Sequence, residues 1–476
     1  MSEGFVRESG SFRDPEGYVF WVGGRVFRAL NQSGLHAYRA FRNSGAAEWA
    51  EHQKLITRSW ELMPCEWKGL GPLSSDVVGV LEQERVPFIS YPYEWTFDML
   101  KNAALLHLDL ECAMGRYRLA MKDATAYNIQ FLDGKPIFID VLSLRPYREG
   151  MPWVGYAQFC RSFFYPLLVQ ACCGIDFQPL LRSHLDGIPV TTVRRILGLR
   201  AWRSFAVLKH VVLQAGLQQS FEEKMPTLTD EGRTVHFSLD HNIRLMQALK
   251  TEVANLSLRH AGSHWTPYGE NNSYSLRARE QKRAFVAEHL EKIAPSNVWD
   301  IGCNTGEYAL LAAEYSSKVI ALDSDSASVN TLYAHCKSRN ITRVLPLVSD
   351  LIDPSPALGW GLEERKSIFE RGDIDCVLAL ALVHHLCLMR NIPMGHIFSL
   401  FARLGAQHAL IEFVPKTDPM AKRLLTNRED VYPWYTQQTF EREASAHFII
   451  EAHMELEKGG RVMYWLKHRS DTQRNL

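Results

Sequence analysis

The sequence has no surplus of either charge. Its 53 Lys and Arg balance 53 Asp and Glu, so no net field draws the whole molecule toward nucleic acid or an anionic membrane, although a local basic patch stays open. No apolar run reaches the length of a spanning helix. The first residues, MSEGFVRESGSFRDPEG, lack the basic start and apolar middle of a secretory signal. These absences predict a cytoplasmic protein without a membrane span. No internal repeat or low-complexity tract occurs. The nine cysteines are scattered, and the adjacent pair Cys172–Cys173 fits neither CxxC redox chemistry nor zinc-ligand spacing, which predicts buried free thiols.

What remains is an ordinary globular composition, 46% hydrophobic and 22% charged over 476 residues. That length exceeds one core and predicts two domains. The polar, turn-rich stretch MPTLTDEGRTVHFSLD marks the seam near residues 225–240. The expected division is 1–235 and 236–476.

In the C-terminal part, helices are expected near 240–260 and over Arg277–Ile293. Short apolar runs then alternate with helical stretches: Val298–Ile301, Lys318–Asp323, Val344–Val348, Asp375–Leu382 and His408–Val414. This pattern predicts buried parallel strands in a doubly wound α/β sheet. HFIIEAHMEL and RVMYWLKH, separated by Gly459 and Gly460, read as a closing antiparallel hairpin.

The first of these strands runs into Asp300-Ile301-Gly302-Cys303-Asn304-Thr305-Gly306, followed at once by helical EYALLAAEY. Such a turn lets a ligand approach the backbone and the helix N-terminus, but a Gly-rich turn also serves dinucleotide sites or plain packing. The second strand ends at Asp323, where a carboxylate can accept from ribose hydroxyls; helix capping within LDSDSASVN is the alternative. The third ends at Ser349-Asp350. A nicotinamide-binding domain fits poorly because the loop lacks G-x-G-x-x-G order. Taken together, the D-I-G-C-N-T-G turn, the acid and the S-D order resemble class I S-adenosylmethionine (SAM)-dependent methyltransferases over about residues 265–476. The resemblance implies a Rossmann-like fold with SAM as cofactor. Gly302 and Gly306 would shape the methionine pocket together with Asp300 and Asn304 of the same loop, Asp323 would bind ribose, and Asp350 would lie near adenine.

The fourth strand runs into Leu382-Val383-His384-His385, which would put two imidazoles near the transferable methyl group. A neutral histidine can take a proton from an acceptor hydroxyl; bonding to backbone at the strand end is the competing role. A metal at this pair lacks further ligands, and none is expected in this domain. Three other features are expected around the site. DPMAKRLLTNRED follows the fifth strand and reads either as a substrate-orienting or a solvated segment. The insertion Asp353–Arg365 is expected as a loop over the pocket. Trp265, Tyr268 and Tyr274 are candidates for contact with the sulfonium or for core packing. Neutral charge argues against a protein or nucleic-acid acceptor and leaves a small molecule.

The N-terminal part holds a second pattern in MKDATAYNIQFLDGKPIFIDVLS. Asp123 precedes Asn128 by five positions, a hairpin is expected at Asp133-Gly134, and its return strand leads to Asp140. Upstream, YVFWVGGRVFRAL reads as a hairpin, VPFISYPYEW as a strand entering a hinge, and FDMLKNAALLHLDLECAMGR as a helix. The order resembles the protein-kinase-like and aminoglycoside-phosphotransferase-like superfamily. That resemblance implies an α+β kinase-like domain with Asp123 as base and Asn128 and Asp140 as magnesium ligands, ATP being the nucleotide. No G-x-G-x-x-G loop or V-A-I-K strand is present, and Met121-Lys122-Asp123 replaces His-Arg-Asp. An active phosphotransferase, an inactive module that docks the acceptor, and turn-capping by Asp123 and Asn128 all stay open. A methyltransferase joined to a kinase-like domain resembles bifunctional enzymes that modify glycan ends, which implies a glycan as the acceptor.

Overall fold

The computed structural model describes residues 4–198, 210–211, 237–258, 275–426, 431–456 and 460–469, and the features below are those of these residues. The chain divides into two units, Met1–Ala261 with Ser355–Ile368, and Gly262–Pro354 with Phe369–Leu476. The expected boundary at 235/236 is therefore displaced. Helix Leu239–Asn255 belongs to the first unit because Leu239 and Ile243 pack on Gly115 of helix Phe97–Arg116. Lys101 of that helix also donates to the carbonyls of Ala254 and Leu256 at 2.8 and 2.7 Å.

In the first unit, β1 (Val6–Arg7), β2 (Gly17–Val22), β3 (Arg25–Leu30), β4 (Ser59–Glu61) and β5 (Gly79–Gln83) form an antiparallel sheet in the order β1-β2-β3-β5-β4. The β2–β3 hairpin turns at Gly23 and Gly24, whose φ of 60° and 69° suit the mirror-image turn that matches strand twist. Alternation puts Phe20 and Phe27 inward, stacked at 5.4 Å. Helix Phe97–Arg116 begins where Thr96 accepts from Met99 N, and β6 (Leu119–Met121) follows it. β7 (Ile129–Leu132) and β8 (Lys135–Phe138) form the hairpin at Asp133-Gly134, both at positive φ, and β9 (Leu144–Pro146) pairs with β6. VPFISYPYEW is not a strand. Pro87 and Pro92 lack amide donors, and Ser90 is bonded through both its amide and its carbonyl to the Gln130 side chain instead of to a ladder.

The second unit has a seven-stranded sheet of β10 (Asn297–Ile301), β11 (Lys318–Asp323), β12 (Val344–Val348), β13 (Cys376–Ala379), β14 (His408–Phe413), β15 (Phe448–Glu455) and β16 (Val462–His468), in the order β12-β11-β10-β13-β14-β16-β15. β10 to β14 run parallel; β16 is antiparallel to β14 and to β15. The first five strands are buried runs, as expected of strands covered on both faces. β13 stops at Ala379, short of the expected Leu382, because Ala381 takes φ +55° and turns the chain. Strand order reverses between β10 and β13, and the crevice beyond their C-terminal ends is where an open α/β sheet receives a ligand. Among the described residues, no helix is long and apolar enough to cross a membrane.

Candidate functional site

A cavity of about 310 Å³ lies at that crevice, within the size range of small-molecule sites. Its wall includes Asp300, Gly302, Asn304, Asp323, Asp350, His384 and His385. The loop after β10 is tied to β11, since Gly302 N and Cys303 N both donate to the Leu322 carbonyl at 2.8 and 3.0 Å. Gly302 and Asn304 have φ of +80° and +50°, so the loop turns its backbone toward the cavity. Gly306 is not on the wall. It has φ +88°, and a Cβ there would stand 2.3 Å from Leu332 Cδ1, so its glycine is required by packing against helix Ser326–Arg339.

Asp323 does not cap the helix that follows it. Asp325 does, its Oδ1 accepting from Ala327 N and Ser328 N. Asp323 is held instead by Asn304 N at 2.8 Å on one oxygen and Asp325 N at 2.9 Å on the other, which fixes the carboxylate at the cavity. Asp350 accepts from Ile352 N at 3.0 Å. Asp300 is 2% exposed and its Oδ2 has no hydrogen-bond partner, although it lines the cavity. Burial, with the neighbouring Asp323 charge, pushes its carboxyl up to about 7. A buried, unpartnered carboxylate oxygen is costly unless a ligand supplies a donor. The site therefore fits a ligand carrying an ammonium group and a vicinal diol, as SAM does.

His384 and His385 stack with ring centres 4.2 Å apart. Burial holds both below the ordinary histidine range, His385 at about 4, and the Arg461 charge adds to it. Both rings are thus neutral near pH 7. His384 Nδ1 is buried with no partner, and His385 Nδ1 lies 3.4 Å from Met389 Sδ.

A charged cluster not expected from the sequence reaches the same wall through Lys282 and Arg461. Lys282 donates to Glu412 at 2.8 Å, and Arg461 binds Asp418 through Nε at 2.7 Å and Glu412 at 3.4 Å, all four being buried. Lys282 also lies 4.7 Å from the Tyr308 ring centre. The available signal was a lysine on the apolar stripe of Ala278, Phe285, Val286 and His289, where a charge needs a partner. Arg461 offered no such periodicity. From DPMAKRLLTNRED, Asp418 both caps helix Pro419–Leu425 and binds Arg461, and Met420 reaches the cavity. Trp265, Tyr268 and Tyr274 lie outside the described residues. None of the residues Asp353–Arg365 is among those lining the cavity, and Ser355–Ile368 belongs to the first unit.

In the first unit, Asp140 is bound by Arg28 Nη1 at 2.7 Å, and the same guanidinium binds Asp14. Asp123 is half-buried, and burial raises its carboxyl above the usual range. Its amide donates to Ser143 Oγ at 3.1 Å. Asn128 Nδ2 is buried without a partner. Asn128 would ligate through its amide oxygen, but the Arg28 guanidinium already occupies the Asp140 carboxylate, so this arrangement does not present magnesium with an open pair of ligands. Among the described residues there is no group of three or more His, Cys, Asp or Glu suited to a metal ion.

No family model matches the chain. Among solved structures, the chain is similar to the N-methyltransferase NodS from Bradyrhizobium japonicum WM9 in complex with S-adenosyl-L-homocysteine (SAH). That likeness has 12% identity and TM-score 0.31, covering 47% of this chain and 98% of that one. The bifunctional kinase-methyltransferase WbdD matches at 17% identity and TM-score 0.30, over 46% of each chain. Among curated proteins, the nodulation protein NoeA of Rhizobium meliloti (strain 1021) is 33% identical over 444 residues, covering 91% of this chain and 90% of that protein. With that identity over nearly the whole of both sequences, the chain belongs to the family of the nodulation protein NoeA.

Proposed function

We propose that the second unit is a SAM-dependent methyltransferase acting on a small-molecule or glycan acceptor, with a role in nodulation suggested by its NoeA relative. The observation that carries the reading is one cavity holding two acids in different states. Asp323 is fixed by two loop amides and Asp300 is buried with a free oxygen, both at the switch point of the sheet. Asp323 would accept from ribose hydroxyls and Asp300 from the methionine ammonium, while Asp350 stands on the adenine side.

SAM, when bound, supplies an electrophilic methyl group on a sulfonium. The chain's own part is alignment and exclusion of water, which supply much of the rate in a displacement of this kind. The neutral His384 ring, which lines the cavity and whose buried Nδ1 has no partner, would take the proton released by the acceptor as its new bond to carbon forms. The Lys282–Glu412–Arg461–Asp418 cluster sums to zero charge and keeps that wall rigid without drawing an ion of either sign.

The first unit, on the kinase-like resemblance, is read as a module that docks the acceptor and not as an active phosphotransferase, because Arg28 holds Asp140. The test is calorimetry with SAH. Binding that weakens in Asp323→Ala and in Asp300→Asn supports the cofactor reading, and absence of binding to folded protein ends it.

A further inference from the structure

The segment Ser355–Ile368 is held in the first unit by contacts of several kinds. The Ser9 hydroxyl donates to the Glu363 carbonyl, the buried Glu364 carboxylate pairs with Arg13 at 3.2 Å, and Lys366 Nζ reaches Glu8 at 2.9 Å. These partners lie between β1 and β2. Farther along the chain, Lys366 N donates to the Tyr91 hydroxyl at 3.0 Å, and the Arg365 guanidinium lies 4.3 Å from the Tyr127 ring centre. The fit is close: a Cβ on Gly10 would stand 2.8 Å from the Glu364 carbonyl oxygen.

Chain continuity adds a second observation. Asp350, Leu351 and Ile352 line the cavity of the second unit, and Ser355 already belongs to the first. Two residues, Asp353 and Pro354, join the cavity wall to the docked segment. Proline fixes its own φ and restricts the residue before it, so this link is short and stiff. The turn that starts it is set by Asp350, whose carboxylate accepts from Ile352 N.

We propose that the surface formed by Glu8–Arg13, Tyr91 and Tyr127 is an interaction site whose occupant is residues 355–368 of the same chain, and that docking there is linked to ligand binding in the second unit's cavity. The linkage rests on the cofactor reading of that cavity. A ligand that orders Asp350–Ile352 restricts the start of the segment and favours its docked form. By reciprocity, loosening the segment weakens the ligand.

The experiment is hydrogen exchange with calorimetry on the full chain, using SAH as the probe. SAH is expected to slow exchange at residues 302–306 and also at residues 6–13. Lys366→Glu, which sets two acids against each other, is expected to speed exchange at 6–13 and weaken SAH binding about fivefold, at the low end of allosteric coupling. The exchanged pair Glu8→Lys with Lys366→Glu is expected to restore both. Slowing at 302–306 without any change at 6–13 overturns the inference and leaves the cofactor reading standing. Unchanged SAH affinity in Lys366→Glu overturns the linkage as well, and no response at either stretch ends both.

Discussion

Replacing Asp323 with alanine tests the cofactor assignment at a side chain held by the backbone amides of Asn304 and Asp325. The substitution removes the acceptor proposed for the ribose hydroxyls. Charge-assisted hydrogen bonds contribute about 1.5–3 kcal/mol, and each 1.4 kcal/mol is tenfold, so SAH affinity should fall roughly 10- to 150-fold. Alanine also leaves Asn304 N and Asp325 N without their acceptor, which loosens the loop and adds to the loss. Asp323→Asn separates the two effects. Its carbonyl oxygen can still receive one loop amide, so the loop is better preserved, while the charge at the ribose is gone. Calorimetry measures the affinity and thermal unfolding checks that each variant is folded. A folded Asp323→Ala variant that binds SAH as tightly as the parent would refute the ribose role.

Asp300, with its carboxyl near 7, should be partly protonated at pH 6 and ionise when an ammonium is placed against it. Binding of SAH at pH 6 is therefore expected to release protons, seen as a dependence of the calorimetric heat on buffer, and Asp300→Asn should abolish the release. His384→Gln should keep SAH affinity and lose roughly 10²–10⁴-fold in turnover if it is the base; equal turnover in His384→Gln and His385→Gln would leave alignment as the whole mechanism. Glu111, buried in the first unit, is pushed up to about 8 by burial. The folded state then holds a proton that the unfolded state has lost, so this group's stabilisation is full below about pH 4.5 and falls as pH rises toward 8. Thermal unfolding across that window should show a slope that Glu111→Gln flattens. Arg28→Met leaves Asp14 and Asp140 without their shared cation and should destabilise the first unit by about 3–5 kcal/mol, with SAH affinity in the second unit unchanged.

The sheet of the second unit was legible because parallel strands buried on both faces announce themselves as apolar runs. Four of the five expected runs match observed strands to within about one residue at each end, and the two later runs pair as a hairpin. The exception is instructive. Asp375–Leu382 reads as one run by composition, yet Ala381 at positive φ ends it early, and hydrophobicity carries no information about that dihedral. The same limit explains Gly306. Its place in the motif suggested the cavity, whereas its neighbour Leu332 comes from a helix 20 residues on. Conversely, the capping question at Asp323 was a local one, and Asp325, two residues later, took the cap. Hairpins at Gly23-Gly24 and Asp133-Gly134 were legible because their turn residues tolerate the required dihedrals.

Charged residues were the illegible part, for a physical reason. A carboxylate in a motif announces an acceptor, but what it accepts from depends on side chains far away in sequence. Asp140 ends the hairpin where a metal ligand was expected, and its actual partner, Arg28, lies 112 residues earlier on β3. Glu412, next to last in β14, is an unremarkable acid until Lys282 and Arg461, 130 and 49 residues away, meet on it. In both places the low-polarity surroundings force pairing, since an unpaired buried charge costs more than either pair contributes. The consequence differs between the units. In the second, Glu412 and Asp418 pair with Lys282 and Arg461, while Asp300 Oδ2 and His384 Nδ1 are buried without a partner. In the first, Arg28 pairs with Asp140, the acid expected to hold a nucleotide-bound metal. An acid read from spacing as a ligand-binding group is thus engaged by a distant cation at Asp140, whereas Asp300 keeps one oxygen without a partner.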